Sequence, residues 1–286
     1  MINTATNVEV TTVDLPSVAV DVAVSADGQR AYALGLQTAQ IFVIDTVFNV
    51  RLPTIALDRV GGSITTAPAG HLAYVTFRDT NELVVVDTDA GTVAARISVG
   101  DSPLDAVVTH DGAMAYVANA ANTVSAVDLA TRTVVTTIPV DDRPSAIAIA
   151  PDDGRVFVLA ATDHLFVIDR ATNGVIGTVG IPGALSALAA TPNGPLVYVA
   201  NPTSKVVVVD PTAGSVTHTI GVGTYPAGIG FTPDGAFAYV GSAGLAADQG
   251  TISVIDAQTE TVTTTISYPA GTEVSPASVA VANILP

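Results

Sequence analysis

The sequence has no cysteine and no tryptophan among its 286 residues, and Lys205 is its single lysine. Without cysteine there is no disulfide framework and no thiolate chemistry, so cysteine usage says nothing of redox compartment. Ten basic residues face 26 acidic ones, a net charge of −16. A nucleic-acid binder must neutralise several phosphates with cations. A surface this acidic repels polyanions and anionic membranes on average, so no nucleic-acid partner is expected. Mean hydropathy is +0.51, yet no apolar run approaches the roughly 18–20 residues of a spanning helix, and no membrane insertion is expected. The start, Met1 to Asn7, lacks a basic stretch followed by an apolar core, so no signal peptide is expected in this chain. A secreted or cell-surface location is expected only if the chain is a segment of a longer protein. Nor does any segment repeat its apolar residues every 3.6 positions, which argues against helices.

Alanine, valine and threonine dominate instead, arranged in a repeat. An aromatic after a small or apolar residue recurs at Tyr32, Tyr74, Tyr116, Phe157, Tyr198 and Tyr239, in steps of 42, 42, 41, 41 and 41. An Asp closing an apolar run recurs at Asp45, Asp87, Asp128, Asp169, Asp210 and Asp256. A turn glycine recurs at Gly28, Gly70, Gly112, Gly154, Gly194 and Gly235. Asp-Gly and Asn-Gly pairs favour tight hairpins because both residues tolerate positive φ. Each period holds four short strands, which in the third copy are 104–109, 115–119, 123–128 and 133–140. Four strands in about 40–45 residues is the pattern of one blade of a β-propeller.

The segments Ala115-Tyr116-Val117-Ala118-Asn119, Val197-Tyr198-Val199-Ala200-Asn201 and Thr232-Pro233-Asp234-Gly235 resemble the YVTN-type β-propeller repeat. The resemblance covers nearly the whole chain. It implies an all-β propeller of four-stranded antiparallel blades and carries little about function. Gly35, Phe77, Ala160 and Ser242 stand where that motif has Asn. The strand count leaves a remainder. First- and fourth-type strands number seven each, the fourth-type strand of blade one being expected near 50–57, second- and third-type strands number six each, and residues 1–8 read like the end of a third-type strand with its turn. We therefore expect one domain over 1–286 with six complete repeats and a partial seventh blade, the chain starting mid-blade. An incomplete blade has an open edge that could pair with another chain.

The chemistry-bearing residues do not form a recognisable catalytic set. The six repeated Asp residues read as turn residues whose carboxylates accept local backbone N–H groups. The repeated tyrosines read as packing pieces. His71, His110, His164 and His218 fall at four different repeat positions, so no convergent metal ligands are expected. There is no nucleophile elbow and no phosphate loop. No catalytic residue, metal or cofactor is assigned.

Propellers of this kind bind on the face made by the loops entering the inner strands and the loops joining second to third strands. Here those loops collect Arg59, Arg78, Asp101, Asp141, Asp142, Arg143, Lys205 and Tyr225. Two insertions fall on the same loops: 241–250, which holds Asp248, and the segment between Ile266 and Pro276, which holds Glu273. One-sided insertions in a repeat protein often mark its binding side. The expected role is a non-enzymatic binding or scaffold propeller for a protein, peptide or glycan. The alternative is a lactonase- or lyase-like enzyme with a polar site at the channel mouth, drawing on Arg59, Arg143, Asp101, Asp105 and Tyr225.

Overall fold

The computed structural model describes residues 1–160, 162–244, 250–268 and 278–281. Among them there is no helix; the chain is a six-bladed β-propeller of four-stranded antiparallel blades. Blade three shows the pattern: Pro103–Val108, Met114–Asn119, Thr123–Asp128 and Thr133–Pro139 pair in chain order from the axis outward. Each blade face is apolar because its middle strands are flanked by neighbouring blades on both sides. Such strands read as continuous runs, as in Leu83-Val84-Val85-Val86 or Val206-Val207-Val208-Val209, all buried. Outer strands alternate instead, with one side facing water. The core is accordingly a ring of inter-blade layers. Tyr32, Leu34, Val75 and Phe77 pack between blades one and two, and Tyr198, Val206 and Ile229 between blades five and six.

The tyrosine hydroxyls are the polar ends of this packing. Tyr32 donates to Thr88 Oγ1 at 3.0 Å in the next blade, and Tyr116 to Asn173 Oδ1 at 2.9 Å. The repeated aspartates accept the backbone N–H groups two and three residues on. Asp45 holds Val47 and Phe48, and Asp210 holds Thr212 and Ala213. Such bonds hold the carboxyls of Asp87, Asp128, Asp169 and Asp256 below their ordinary value, with the Thr172 hydroxyl the largest cause at Asp169. The hairpin glycines behave as turn residues in four copies, with φ of 72°, 79°, 69° and 68° at Gly28, Gly70, Gly112 and Gly235. In blade four Asp153, φ 57°, takes that conformation in place of Gly154. Its carboxylate then reaches the neighbouring turn and accepts from His110 N at 3.0 Å.

Two expectations are corrected. The outer strand of blade one, expected over 50–57, is two short pieces, Val50–Arg51 and Ile55–Ala56. Pro53 lies between them and has no N–H to offer the ladder. The partial seventh blade is not formed either. Ile2–Asn3 and Val8–Glu9 pair only with each other, as a two-stranded ribbon. Residues 278–281 join no sheet. Among the described residues no second-type strand bridges these two pieces. They close the gap between blade six and blade one as packing. Ile2, Val279 and Val281 cover Tyr239, Ile252 and Val254. Tyr239 donates to Asn7 Oδ1 at 2.5 Å, and Ser278 Oγ to Asp21 Oδ1 at 2.8 Å.

Candidate functional site

Every blade sends two connections to the same face: the loop joining its second and third strands, and the loop that enters its inner strand. The inner strands of blades one, three, four and six each begin with a bulge, at Ala19/Asp21, Pro103/Asp105, Pro144/Ala146 and Pro226/Gly228. A bulge bends the strand and re-aims the side chains beside it. The residue just before each bulged strand stands at the channel mouth. In blade order these are Val18, Ser102, Arg143 and Tyr225, and the 42-residue repeat step places Val60 at the same position of blade two.

Tyr225 has a φ of 54° and Ser102 one of 56°, a left-handed conformation that a bulky side chain adopts only when its surroundings force it. Ala243 N donates to Tyr225 O, and Gly244 N to Thr224 O, each at 2.9 Å. The ring stays 48% exposed.

Arg78 lies against the loop between blades one and two that carries Arg59. A side chain at Gly62 would meet the Arg78 Cγ and Cδ at 3.4 Å, so the arginine stem lies along the loop that carries Arg59. Asp101 accepts from Asn81 Nδ2 at 2.9 Å, tying two loops of blades two and three. Asp142 accepts the Thr162 hydroxyl and, at 2.7 Å, the Arg143 N–H. The Thr162 hydroxyl is the main cause holding the Asp142 carboxyl low. Asp141 is exposed beside it, and Lys205 is exposed at the start of Lys205–Asp210 in blade five. These residues share one face but form several separate groups spread around the ring. Asp248 and Glu273 lie outside the described residues.

Arg30 is paired with Asp89 at 2.7 Å, Arg96 with Asp58 and Glu82 at 2.7 and 2.8 Å, and Arg170 with Asp111 at 2.8 Å. Arg59, Arg78, Arg143 and Lys205 of this face, like Arg51, Arg132 and Arg155, have no carboxylate within ion-pair distance among the described residues.

Two groups were not legible from the residue order alone. Asp142, Asp163 and His164 each offer a ligand atom, all within 4.8 Å of one another. They come from two loops of blades three and four that meet only in the fold, and exposed acidic groups often meet so without an ion. The second group lies on the inner strands. Asp21 Oδ2 accepts Ile64 N at 2.9 Å, and Asp105 Oδ2 accepts Ile147 N at 3.0 Å, so each carboxylate ties its blade to the next. Both are crowded by protein, and loss of water pushes their carboxyls up. Asp105 is pushed up to about 7, the charge on Asp21 adding to the burial. A signal for Asp21 existed: it and Asp105 are the charged residues at one repeat position, 84 residues apart, inside the apolar runs Ala19–Val24 and Pro103–Val108.

A shallow hollow on the opposite face, lined by Ser25, Tyr32, Gly70, His71 and Thr88, has about 160 Å³ of space, part of it open solvent. Small-molecule sites occupy roughly 300–1,000 Å³.

No protein-family model matches the sequence, and no curated protein matches it. Among solved structures the chain is similar to Kuenenia stuttgartiensis hydrazine synthase. The TM-score is 0.81 at 19% identity, over 95% of this chain and 91% of that one. The likeness is one of fold. At that identity it carries the propeller and nothing of that protein's chemistry.

Proposed function

We propose that this propeller is a binding module that presents the loop face bearing Arg59, Arg143, Lys205 and Tyr225 to a protein, peptide or glycan, and that its repeats are of the YVTN type. The observation that carries the reading is the make-up of the loop face itself: Arg59, Arg78, Arg143 and Lys205 have no carboxylate within ion-pair distance among the described residues, and Tyr225 stands exposed beside them. Arg and Tyr are also the residue types that dominate binding energy at interfaces. An exposed Tyr225 in a strained backbone fits a residue kept for contact. The test is a glycan and peptide array probed with the labelled protein and with the Arg143→Ala/Tyr225→Ala variant. Ligands retained by the parent and lost by the variant support the reading; identical profiles count against it.

One observation favours the enzyme reading as a second choice. A carboxyl near 7 can give and take a proton at neutral pH, and Asp105 has one. Against it, both carboxylate oxygens already accept backbone N–H groups, from Ala106 and Ile147. Hydrolysis of a lactone panel that disappears in Asp105→Asn would favour the enzyme.

A further inference from the structure

Three large apolar side chains stand out of the loop face on one sector. Val18 is 69% exposed, Leu36 43% and Val60 46%. Two of them, Val18 and Leu36, are direct neighbours. Leu36 N donates to Val18 O at 2.8 Å, so the two loops of blade one run side by side. The segment carrying Val60 crosses from blade one to blade two directly over the core. A Cβ at Gly61 would fall 2.5 Å from Val75 Cγ1 and 3.0 Å from Leu34 Cδ2. This closeness presses the loop flat onto the two blades and leaves Val60 no inward direction.

The same repeat position is Ser102, Arg143 and Tyr225 in blades three, four and six and exposed Ala184 in blade five. Blades one and two alone place a branched aliphatic side chain there. Solvent-exposed valines that could be polar at no cost to the fold are informative when they cluster. Arg59 adjoins Val60 in sequence, and Arg78 lies along the same loop at Gly62. Neither has an ion-pair partner among the described residues. The nearby Asp58 is taken by Arg96, which leaves exposed Asp79 as the acid next in sequence to Arg78.

We propose that this sector, Val18, Leu36 and Val60 with Arg59 and Arg78, is the docking site for an acidic peptide segment that carries apolar side chains. The proposal rests on the binding-module reading above and names where on the face the ligand sits and what it is. The apolar trio anchors two or three alkyl or aromatic side chains by burial. The two guanidiniums meet carboxylates of the segment, a pairing whose planar geometry suits arginine. A net charge of −16 opposes any acidic ligand at long range, so the contact must be local and anchored by the apolar residues. Added salt then screens both attraction and repulsion, and affinity changes little with it.

The experiment is fluorescence anisotropy with a fluorescein-labelled nonapeptide alternating Glu and Leu, against the same peptide with Lys in place of Glu. The acidic peptide is expected to bind and the basic one to bind at least tenfold more weakly. Arg59→Ala/Arg78→Ala and Leu36→Ser/Val60→Ser are each expected to weaken the acidic peptide about tenfold or more. All four positions are exposed or carry no core contact of their own, and an unchanged thermal midpoint checks that the variants fold. Absence of binding up to 1 mM, equal binding of both peptides, or binding untouched by both variants overturns the proposal. Arg143→Ala/Tyr225→Ala separates the two readings. If only that variant loses the peptide, this sector is wrong while the face remains the binding side; if none of the three does, both readings fail.

Discussion

Tyr198 shows how finely the inter-blade layers are balanced. Its ring is buried against Phe231, edge-on at 5.0 Å, and its hydroxyl is buried with no hydrogen-bond partner among the described residues. Burial pushes that phenol up to about 12. An unpaired buried hydroxyl costs about 1–3 kcal/mol, so Tyr198→Phe is expected to raise stability by about 1 kcal/mol in denaturant titration. Tyr116→Phe, which deletes the bond to Asn173, is expected to lower it by a similar amount. Asp105 behaves differently because its carboxyl is held above the value it has in the unfolded chain. Ionising it therefore costs stability. Its contribution is fullest below about pH 4 and is lost as the pH rises toward 7. Asp105→Asn keeps an acceptor for Ile147 N and removes the charge. The variant is expected to exceed the parent by about 1–2 kcal/mol at pH 8, the gap closing toward pH 4. A gap independent of pH would refute the burial argument. The turn aspartates carry the opposite sign: Asp87, Asp128, Asp169 and Asp256 stabilise when ionised and lose that as the pH falls below about 4.

At the scale of elements, strands were the most legible objects. Apolar third-strand runs such as Leu83–Val86 do not recur six times in register by chance, and Thr123–Asp128 has the same bounds in sequence and structure. Boundaries failed where one residue overrode the pattern, as Pro53 did in blade one. The loops were legible as a face but not in their conformation. Nothing in the residue order indicates that Tyr225 would be held at φ 54°, the conformation that Ser102 takes at the same repeat position. Relieving it by Tyr225→Gly is expected to gain about 1 kcal/mol, read as a raised thermal midpoint, while binding through this face weakens. Stability and function then move in opposite directions, which loss of mere packing would not produce. Residues 278–281 make a second test. A Cβ at Gly228 would lie 2.8 Å from Ser278 Cα and 2.9 Å from Val279 N. Backbone cannot yield there cheaply, so Gly228→Ala is expected to cost about 1–3 kcal/mol and to make the chain beyond 278 more open to proteolysis.

For the whole molecule, the decisive feature is closure. Each blade buries both faces only because it has neighbours, and a ring leaves none at an end. Here the ends of the ring are covered by a two-stranded ribbon and a short extended segment rather than by a blade. Deleting residues 1–9 removes Ile2 from the blade-six layer and the acceptors of the Tyr239 hydroxyl. A lower unfolding midpoint is expected for that variant. The sequence by itself determined the all-β class, the four-stranded blade and the six repeats, because a repeat imposes the same local pairing at every copy and local pairing is written in alternation, turns and glycines. Only the tertiary structure decided which carboxylates meet arginines and which arginines are left over. It alone placed Asp21 and Asp105 as ties between inner strands, brought Asp142 to Asp163 and His164, and showed how two fragments close the ring without making a blade. Those outcomes depend on contacts between blades some 40 or 80 residues apart, and at the ends of the ring on residues more than 200 apart. No period within the chain encodes them.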